Sequence, residues 1–366
     1  MFDRRFYLHV DWPLVAAVYA VCAIGVLMIY STTGEAARAA TSRLFLVQLY
    51  AIGIGTIAFI ACLAVDYRSL TDRAHLVYIL LLGLLVYVLL FGVRRGGGQR
   101  WIQLPLFNFQ PSEFVKIALA LLLARLFAAN LKRIPSTANL VAGGLLTGIP
   151  LLLIMAQPDL GTAVTLVPVL LGIAFISGMR LRVAGVLLAL AILAAPVVWT
   201  YGLKDYQKAR VVTFLDPWRD PRGKGYQQIQ AQITVGAGGL WGQGFRKGTQ
   251  GQLSFLPVAH NDFIFSVLAE ERGFVGVLTV LGLYLFIVMR SLETARLAKD
   301  RLGTYLVVGV LSSFTFQVLY NISMSAGLAI VKGITLPLMS YGGSSMIATL
   351  AGFGLILNVR MRRFTN

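Results

Sequence analysis

Apolar runs about 20 residues long recur through the whole chain, near residues 13–30, 44–65, 74–93, 112–129, 138–156, 160–178, 183–202, 262–289, 302–324 and 336–359. A helix of that length matches the hydrocarbon thickness of a bilayer. The runs therefore predict an all-α polytopic membrane protein with about ten transmembrane helices. Composition agrees, with 57% hydrophobic and 13% charged residues among 366, a mix that excludes an ordinary soluble enzyme domain. The first run continues from Pro13 to Tyr30 without a small-residue cleavage site, so the first helix is expected to be retained. Cys22 and Cys62 lie inside apolar runs with no His or Cys at metal-ligand spacing, and read as packing residues.

The longest connection is residues 203–261, between the seventh and eighth spans, rich in Gly, Gln and basic residues. Orientation follows from Lys and Arg in the short loops. With the N-terminus cytoplasmic, fifteen of these cations fall inside and six outside, which favours both termini inside. The 203–261 loop is then extracytoplasmic, and it carries Lys204, Lys208, Arg210, Arg219, Arg222, Lys224, Arg246 and Lys247 against Asp205, Asp216 and Asp220. Two readings of this basic loop stand: a surface that attracts a phosphorylated lipid, or a solvated loop touching anionic headgroups. The net charge of +17 is accounted for by the membrane and calls for no nucleic acid.

Ionisable residues at membrane depth are costly and mark candidate sites. Gln110-Pro111-Ser112-Glu113 opens the fourth span, with Lys116 one turn on and able to pair with Glu113. A plain helix start, with Gln110 as cap, explains Glu113 equally well. Gln157-Pro158-Asp159 opens the sixth span in the same way, and Asp159 has the same capping alternative. The densest cluster runs from His260-Asn261-Asp262 to Glu270-Glu271-Arg272. On one continuous helix Glu270 would lie about 12 Å beyond Asp262 and about 80° around it. Asp262 is then expected to act alone at the outer rim, with Glu270 supporting deeper structure. His260 is a candidate phosphate contact, or simply a surface histidine. Spans four, six, eight and ten all start at the outer face, so the positive ends of their dipoles gather there, a setting for pyrophosphate with one carboxylate free to act as base.

Weaker patterns carry less. Gly236-Ala237-Gly238-Gly239-Leu240-Trp241-Gly242 follows no credible strand and opens no βαβ unit, so it does not read as a nucleotide loop. Gly96-Gly97-Gly98 lacks the ending of a phosphate loop and reads as flexibility before Gln99-Arg100-Trp101-Ile102, where an interfacial Trp anchors a segment at the bilayer. Asn321-Ile322-Ser323 matches a glycosylation sequon but lies within a span.

At these residues the chain resembles the SEDS family of bacterial cell-wall polymerases, the family of RodA and FtsW. The carrying segments are Gln99-Arg100-Trp101-Ile102, Phe109 to Lys116, Gln157 to Thr162, Gly248-Thr249-Gln250 with Leu256-Pro257, His260 to Phe265 with Ala269-Glu270-Glu271, and Pro337 to Ser345. Asp205-Tyr206-Gln207 to Arg210 and Leu215-Asp216-Pro217 look more like the elongation branch than the division branch. One departure is Asn261, where Thr or a similar small polar residue is expected. The resemblance covers nearly the whole chain, so residues 1–366 are expected to form one SEDS-type transmembrane domain. It implies a peptidoglycan glycosyltransferase that polymerises lipid II at the outer face of the cytoplasmic (inner) membrane. It also implies a class B penicillin-binding protein and elongation-complex proteins as partners, and Asp262 as the essential aspartate.

The chemistry implied suits the residues. An acceptor sugar hydroxyl attacks the anomeric carbon of a lipid-pyrophosphate-linked donor, and a leaving group that weakly basic needs cations more than a proton donor. One carboxylate then suffices, unlike the pair of a glycosidase. Asp262 is the expected base, Lys116 and Arg210 hold pyrophosphate, Glu113 fixes Lys116, and Arg100 and Trp101 line the lipid entry. Asp159, His260, Glu270 and Ser340 complete the set of site-supporting candidates. No closed metal-ligand set is visible, and a divalent cation, magnesium or manganese, is an open cofactor. A lipid II flippase and a non-catalytic scaffold for the penicillin-binding protein are the competing readings.

Overall fold

The computed structural model describes residues 10–32, 38–95, 98–104, 108–129, 135–202, 205–223, 225–252, 255–256 and 259–364. Its helices are α1 Trp12–Ser31, α2 Arg38–Ala64, α3 Tyr67–Asp72, α4 Ala74–Phe91, α5 Pro111–Ala128, α6 Thr137–Ala156, α7 Leu160–Val164, α8 Val167–Ile176 and α9 Leu181–Val197. They continue as α10 Asp205–Leu215, α11 Tyr226–Ala237, α12 Thr249–Gln252, α13 Ile264–Arg296, α14 Arg301–Ser325 and α15 Gly343–Met361. Every apolar run of the sequence is thus mainly helical. Among the described residues, seven helices (α1, α2, α4, α6, α13, α14 and α15) are long and apolar enough to cross a membrane. Three runs fall short of that measure for visible reasons. The 18-residue α5 carries Glu113, Lys116 and Arg125. The sixth run is divided into α7 and α8, with Pro168 in the first turn of α8. The α9 helix has 17 residues before it loosens into a π turn at Val198–Gly202.

The core is built around α14 and α15. α14 packs against α5, α8 and α13, and α15 lies along α2. Membrane helices gain little from apolar attraction to one another, so close backbone approach through small residues holds such pairs. At Gly354 of α15 any Cβ would come within 2.5 Å of the Phe59 carbonyl of α2. The α9 helix, by contrast, is mostly exposed.

Three differences from the sequence expectation bear on the site. First, a small antiparallel sheet interrupts the helices: β1 Val93–Arg95, β2 Gly98–Gln103 and β3 Asn108–Phe109, in the order β1-β2-β3. Short polar and Gly-rich segments between spans have no helical face to bury, and pairing satisfies their backbone. Second, the last apolar run is not helical from residue 336. Residues 329–342 form an irregular segment and α15 begins only at Gly343; a single turn closes at Leu336, whose N–H also donates to the Ser340 hydroxyl (2.8 Å), and Leu338 at φ +68° stops it from continuing as a helix. Third, α13 is not one straight rod. Gly273 adopts φ +63° and ψ −164°, and breaks it.

That break is patched from outside. Phe274 and Val275 N–H groups donate to the Gly239 and Leu240 carbonyls (2.9 and 3.2 Å), while Gln243 and Gly244 donate to those of Glu270 and Glu271 (2.9 and 3.1 Å). The glycine-rich run after α11 therefore docks its backbone into the interrupted helix.

At one end of the bundle, α1 starts beside the ends of α13 and α15. Asp11, with no side-chain exposure, pairs with Arg290 (2.9 Å) and Arg360 (3.0 Å). Nearby, Asn358 donates to the Cys62, Leu63 and Val65 carbonyls (3.0, 2.8 and 2.7 Å) and accepts from Tyr67 N–H (3.2 Å). Asp300 at the start of α14 pairs with Arg68 (2.8 Å). The first and last described helices thus close on the same face.

Candidate active site

At the other end the starts of α5, α7, α13 and α15 converge. Gln110, just before α5, donates its backbone N–H to the Ser344 hydroxyl (2.8 Å) and its side-chain amide to Asp159 (3.0 Å). Asp159 caps α7 through Thr162 N–H (3.1 Å) and also accepts from the Thr162 hydroxyl (2.9 Å). Tyr341 N–H, ahead of α15, donates to the His260 carbonyl ahead of α13 (2.9 Å). The expected gathering of helix N-termini forms, but Gln110 is no side-chain cap; its amide is spent on Asp159.

Asp262 sits in the turn before α13. The backbone of Gly333 lies against its carboxylate, so close that a Cβ there would stand 3.3 Å from Oδ2. Gly333 has φ +70°, a conformation that costs glycine little. Burial pushes the Asp262 carboxyl up to about 6, the cations of Arg210 and Arg100 oppose that rise, and Asp159 adds to it. The group is thus recessed in protein with two guanidinium charges acting on it and a second carboxylate nearby. Arg210, on the exposed side of α10, also bears on Lys332, whose ammonium is held down by burial first and by Arg210 second.

The remaining predicted residues divide into those near Asp262 and those apart. Arg100, on β2, donates to the Gln157 and Pro158 carbonyls and stands 3.7 Å from Asp159. Trp101 follows it, paired in the sheet with Val93. His260 meets Tyr341 edge to face at 5.7 Å between ring centroids, and burial lowers its imidazole pKa. Ser340 accepts from Leu336 N–H, and its own carbonyl accepts from the Gln48 amide (3.2 Å). Glu113 and Lys116 form a buried pair at 2.7 Å. They line a cavity between α5, α14 and α15 with Ser313, Gln317 and Thr349. The charges acting on Asp262 are those of Arg210, Arg100 and Asp159. Glu270 accepts from Gln250 N–H (2.8 Å) and the Thr249 hydroxyl (3.4 Å). It therefore holds the Gly248-Thr249-Gln250 loop instead of supporting a deeper level of one continuous span. Pro257, quoted with that loop in the sequence, lies outside the described residues.

A family model described as cell cycle protein, FtsW/RodA/SpoVE, matches residues 12–364. The chain belongs to this family. It is 38% identical over 355 residues to the peptidoglycan glycosyltransferase MrdB of Escherichia coli K12, covering 97% of this chain and 94% of that one. It is 37% identical over 360 residues to the probable peptidoglycan glycosyltransferase FtsW of Geobacter sp. strain M18, covering 95% and 96%. Its fold matches a chain of a solved peptidoglycan synthase complex that coordinates polymerization and crosslinking, with a TM-score of 0.83, 35% identity and coverage of 98% and 99%. RodA of Thermus thermophilus matches with a TM-score of 0.72, 30% identity and 98% of each chain.

Within this FtsW/RodA/SpoVE chain, three site-shaping residues escape sequence reasoning. Gln48, buried in α2, bonds the Ser340 carbonyl and accepts from Gly342 N–H (3.3 Å). Asn321, fully buried in α14, donates to the Asp262 and Ile334 carbonyls (2.9 and 2.7 Å). Ser344 joins Gln110 to the Asn108 carbonyl. A signal for the first two exists: each is an amide inside an apolar run, where a polar side chain must find an internal partner.

Proposed function

We propose that this protein is a peptidoglycan glycosyltransferase that polymerises lipid II into glycan strands at the outer face of the cytoplasmic membrane during cell elongation, with Asp262 as the general base. The observation that carries the reading is the recessed Asp262 carboxylate, acted on by Arg210 and Arg100, where four helix starts converge. Asp262 takes the proton of the acceptor hydroxyl as that oxygen attacks the anomeric carbon of the donor. The bond from that carbon to pyrophosphate breaks with inversion. The departing anion is stabilised by cations and by the helix N-termini, which face the charge where it develops.

Arg100 and Arg210 are the pyrophosphate-side cations of this scheme, and Asp159 with Gln110 orients Arg100. Lys116 and Glu113 serve from the neighbouring cavity between α5, α14 and α15, with Glu113 holding the Lys116 ammonium in place. Among the described residues no group of three His, Cys, Asp or Glu converges to hold a metal. Asp262 and Asp159 share their surroundings with Arg100, a poor cage for a resident cation. A divalent ion, magnesium or manganese, fits this scheme only as a companion of the substrate pyrophosphate. A class B penicillin-binding protein that crosslinks the new strand is the proposed partner, within the elongation machinery, and both termini are proposed to be cytoplasmic.

The test is glycan-chain formation from purified lipid II by the reconstituted protein, wild type beside Asp262→Ala, with a transpeptidase-inactive partner present. Polymer from wild type alone is the expected result. Polymer from both variants removes Asp262 from the chemistry, and polymer from neither, with folded protein, moves the weight to a flippase or scaffold.

A further inference from the structure

Asn321 has no side-chain exposure and sits near the end of α14. Its amide nitrogen donates two hydrogen bonds, one to the backbone carbonyl of Asp262 (2.9 Å) and one to that of Ile334 (2.7 Å). Those two carbonyls belong to the two walls of the candidate site. The first wall carries the carboxylate. The second includes Gly333, whose backbone lies against that carboxylate from the other side. One amide therefore sets the gap between the base and the backbone facing it.

The neighbouring Tyr320 clamps the same irregular segment further away, its hydroxyl donating to the Ile330 carbonyl (2.8 Å) without touching Asp262. The Asn321 carbonyl oxygen, meanwhile, is buried with no hydrogen-bond partner among the described residues. A buried acceptor left unsatisfied is costly, so the residue is present for its donors. Nothing local demands them, because both acceptors lie on other segments of the chain.

We infer that Asn321 is a positioning residue for the transfer reaction: its amide fixes the Asp262 backbone against the Gly333–Ile334 segment and so aims the carboxylate at the acceptor hydroxyl. The inference rests on the reading of Asp262 as base. If the clamp is released, the carboxylate shifts and water reaches it. Misplacement of a reacting group by about 1 Å lowers turnover by as much as 100-fold. Water entry relieves the burial that raises the carboxyl, so the acid side of the pH–rate profile moves toward lower pH.

The experiment compares wild type, Asn321→Leu, Asn321→Ser, Tyr320→Phe and Asp262→Asn as full-length reconstituted proteins, with lipid II as substrate. Turnover, KM and the pH–rate profile are read beside thermal unfolding in detergent. The leucine variant, similar in branched shape but without donors, is expected to lose about tenfold or more in kcat with KM nearly unchanged, and to show the acid limb at lower pH. The serine variant, which keeps one donor, is expected to fall between it and wild type, and Tyr320→Phe to keep the wild-type profile. A folded Asn321→Leu with wild-type turnover and pH profile, while Asp262→Asn is inactive, overturns the inference and leaves the base assignment standing. An equal shift of the profile in Tyr320→Phe also overturns it, since general loosening then suffices. If neither Asn321 variant folds while Tyr320→Phe does, the amide is a folding element and the positioning role is withdrawn. Full activity in Asp262→Asn instead removes the base assignment itself.

Discussion

Asp262 combines two requirements that oppose one another. A base must be ionised, and burial resists ionisation, raising the carboxyl from 3.8 to about 6. Polymerisation is therefore expected to fall off on the acid side through about pH 6, as a pH–rate profile will report. The same shift has a stability consequence with a definite sign. The folded state keeps its proton until about pH 6, whereas the unfolded chain releases it near 3.8, so the charged form costs stability at neutral pH. Asp262→Asn should be inactive yet more stable than wild type above that range, by on the order of 2–3 kcal/mol, with the difference closing toward pH 4. Thermal unfolding across pH measures it. The Glu113–Lys116 pair obeys a different logic. Breaking a buried pair strands the surviving charge, so Lys116→Met alone is expected to cost about 3 kcal/mol or more, and Glu113→Gln with Lys116→Met markedly less. A double-mutant cycle of unfolding free energies checks this. Both the Asp262 cluster and this pair were legible in the sequence, because charges in apolar runs are few. Their separation into two neighbouring places was not, since spacing along one helix says nothing of which other helix it faces.

Among the elements, α13 shows most clearly what the sequence withheld. Its apolar run promises one straight span, and Gly273 breaks it. The backbone groups exposed by the break are bonded by residues 239–244, some thirty positions earlier. The glycine run that resembles a failed nucleotide loop has its reason here. At Gly242, φ is +80° and a Cβ would stand 2.2 Å from the Glu271 carbonyl, so only glycine lets the two backbones meet. Gly242→Ala is expected to lose folded protein or at least about 3 kcal/mol, and to open residues 205–252 to protease, as unfolding and limited proteolysis will show. No pattern within the run names the carbonyl it meets. The helical segments themselves were readable from apolar length alone, whereas the division of the sixth run ahead of Pro168 was not, because a proline is also tolerated in the first turn of an uninterrupted span's helix. The hairpin of β1 to β3 was not, because its strands are too short to show alternation.

For the whole molecule, the two faces differ in kind. One joins Asp11, Arg290, Arg360, Asp300 and Arg68 in ion pairs, and the other gathers helix starts around Asp262. The excess of cations in the short loops on the ion-paired side points to the cytoplasm. In a background with Cys22 and Cys62 replaced by alanine, Trp218→Cys should react with a membrane-impermeant maleimide in intact cells, and Lys299→Cys only after permeabilisation. The opposite pattern would invert the proposed topology and put the site on the wrong side for lipid II polymerisation.

The tie between Asp11 and Arg360 also sets an order of assembly. Translation delivers Asp11 well before either of its partners, Arg290 and Arg360, yet the acid ends with no exposure at all. Until α13 and α15 emerge, that carboxylate has to wait at the aqueous boundary of the bilayer, because sealing it without its cations is prohibitive. The first helix therefore takes its final place only after the helices that carry Arg290 and Arg360 have been made. A chain cut short before α15 would leave open the face of α2 that α15 covers and deprive Asp11 of one of its two cations.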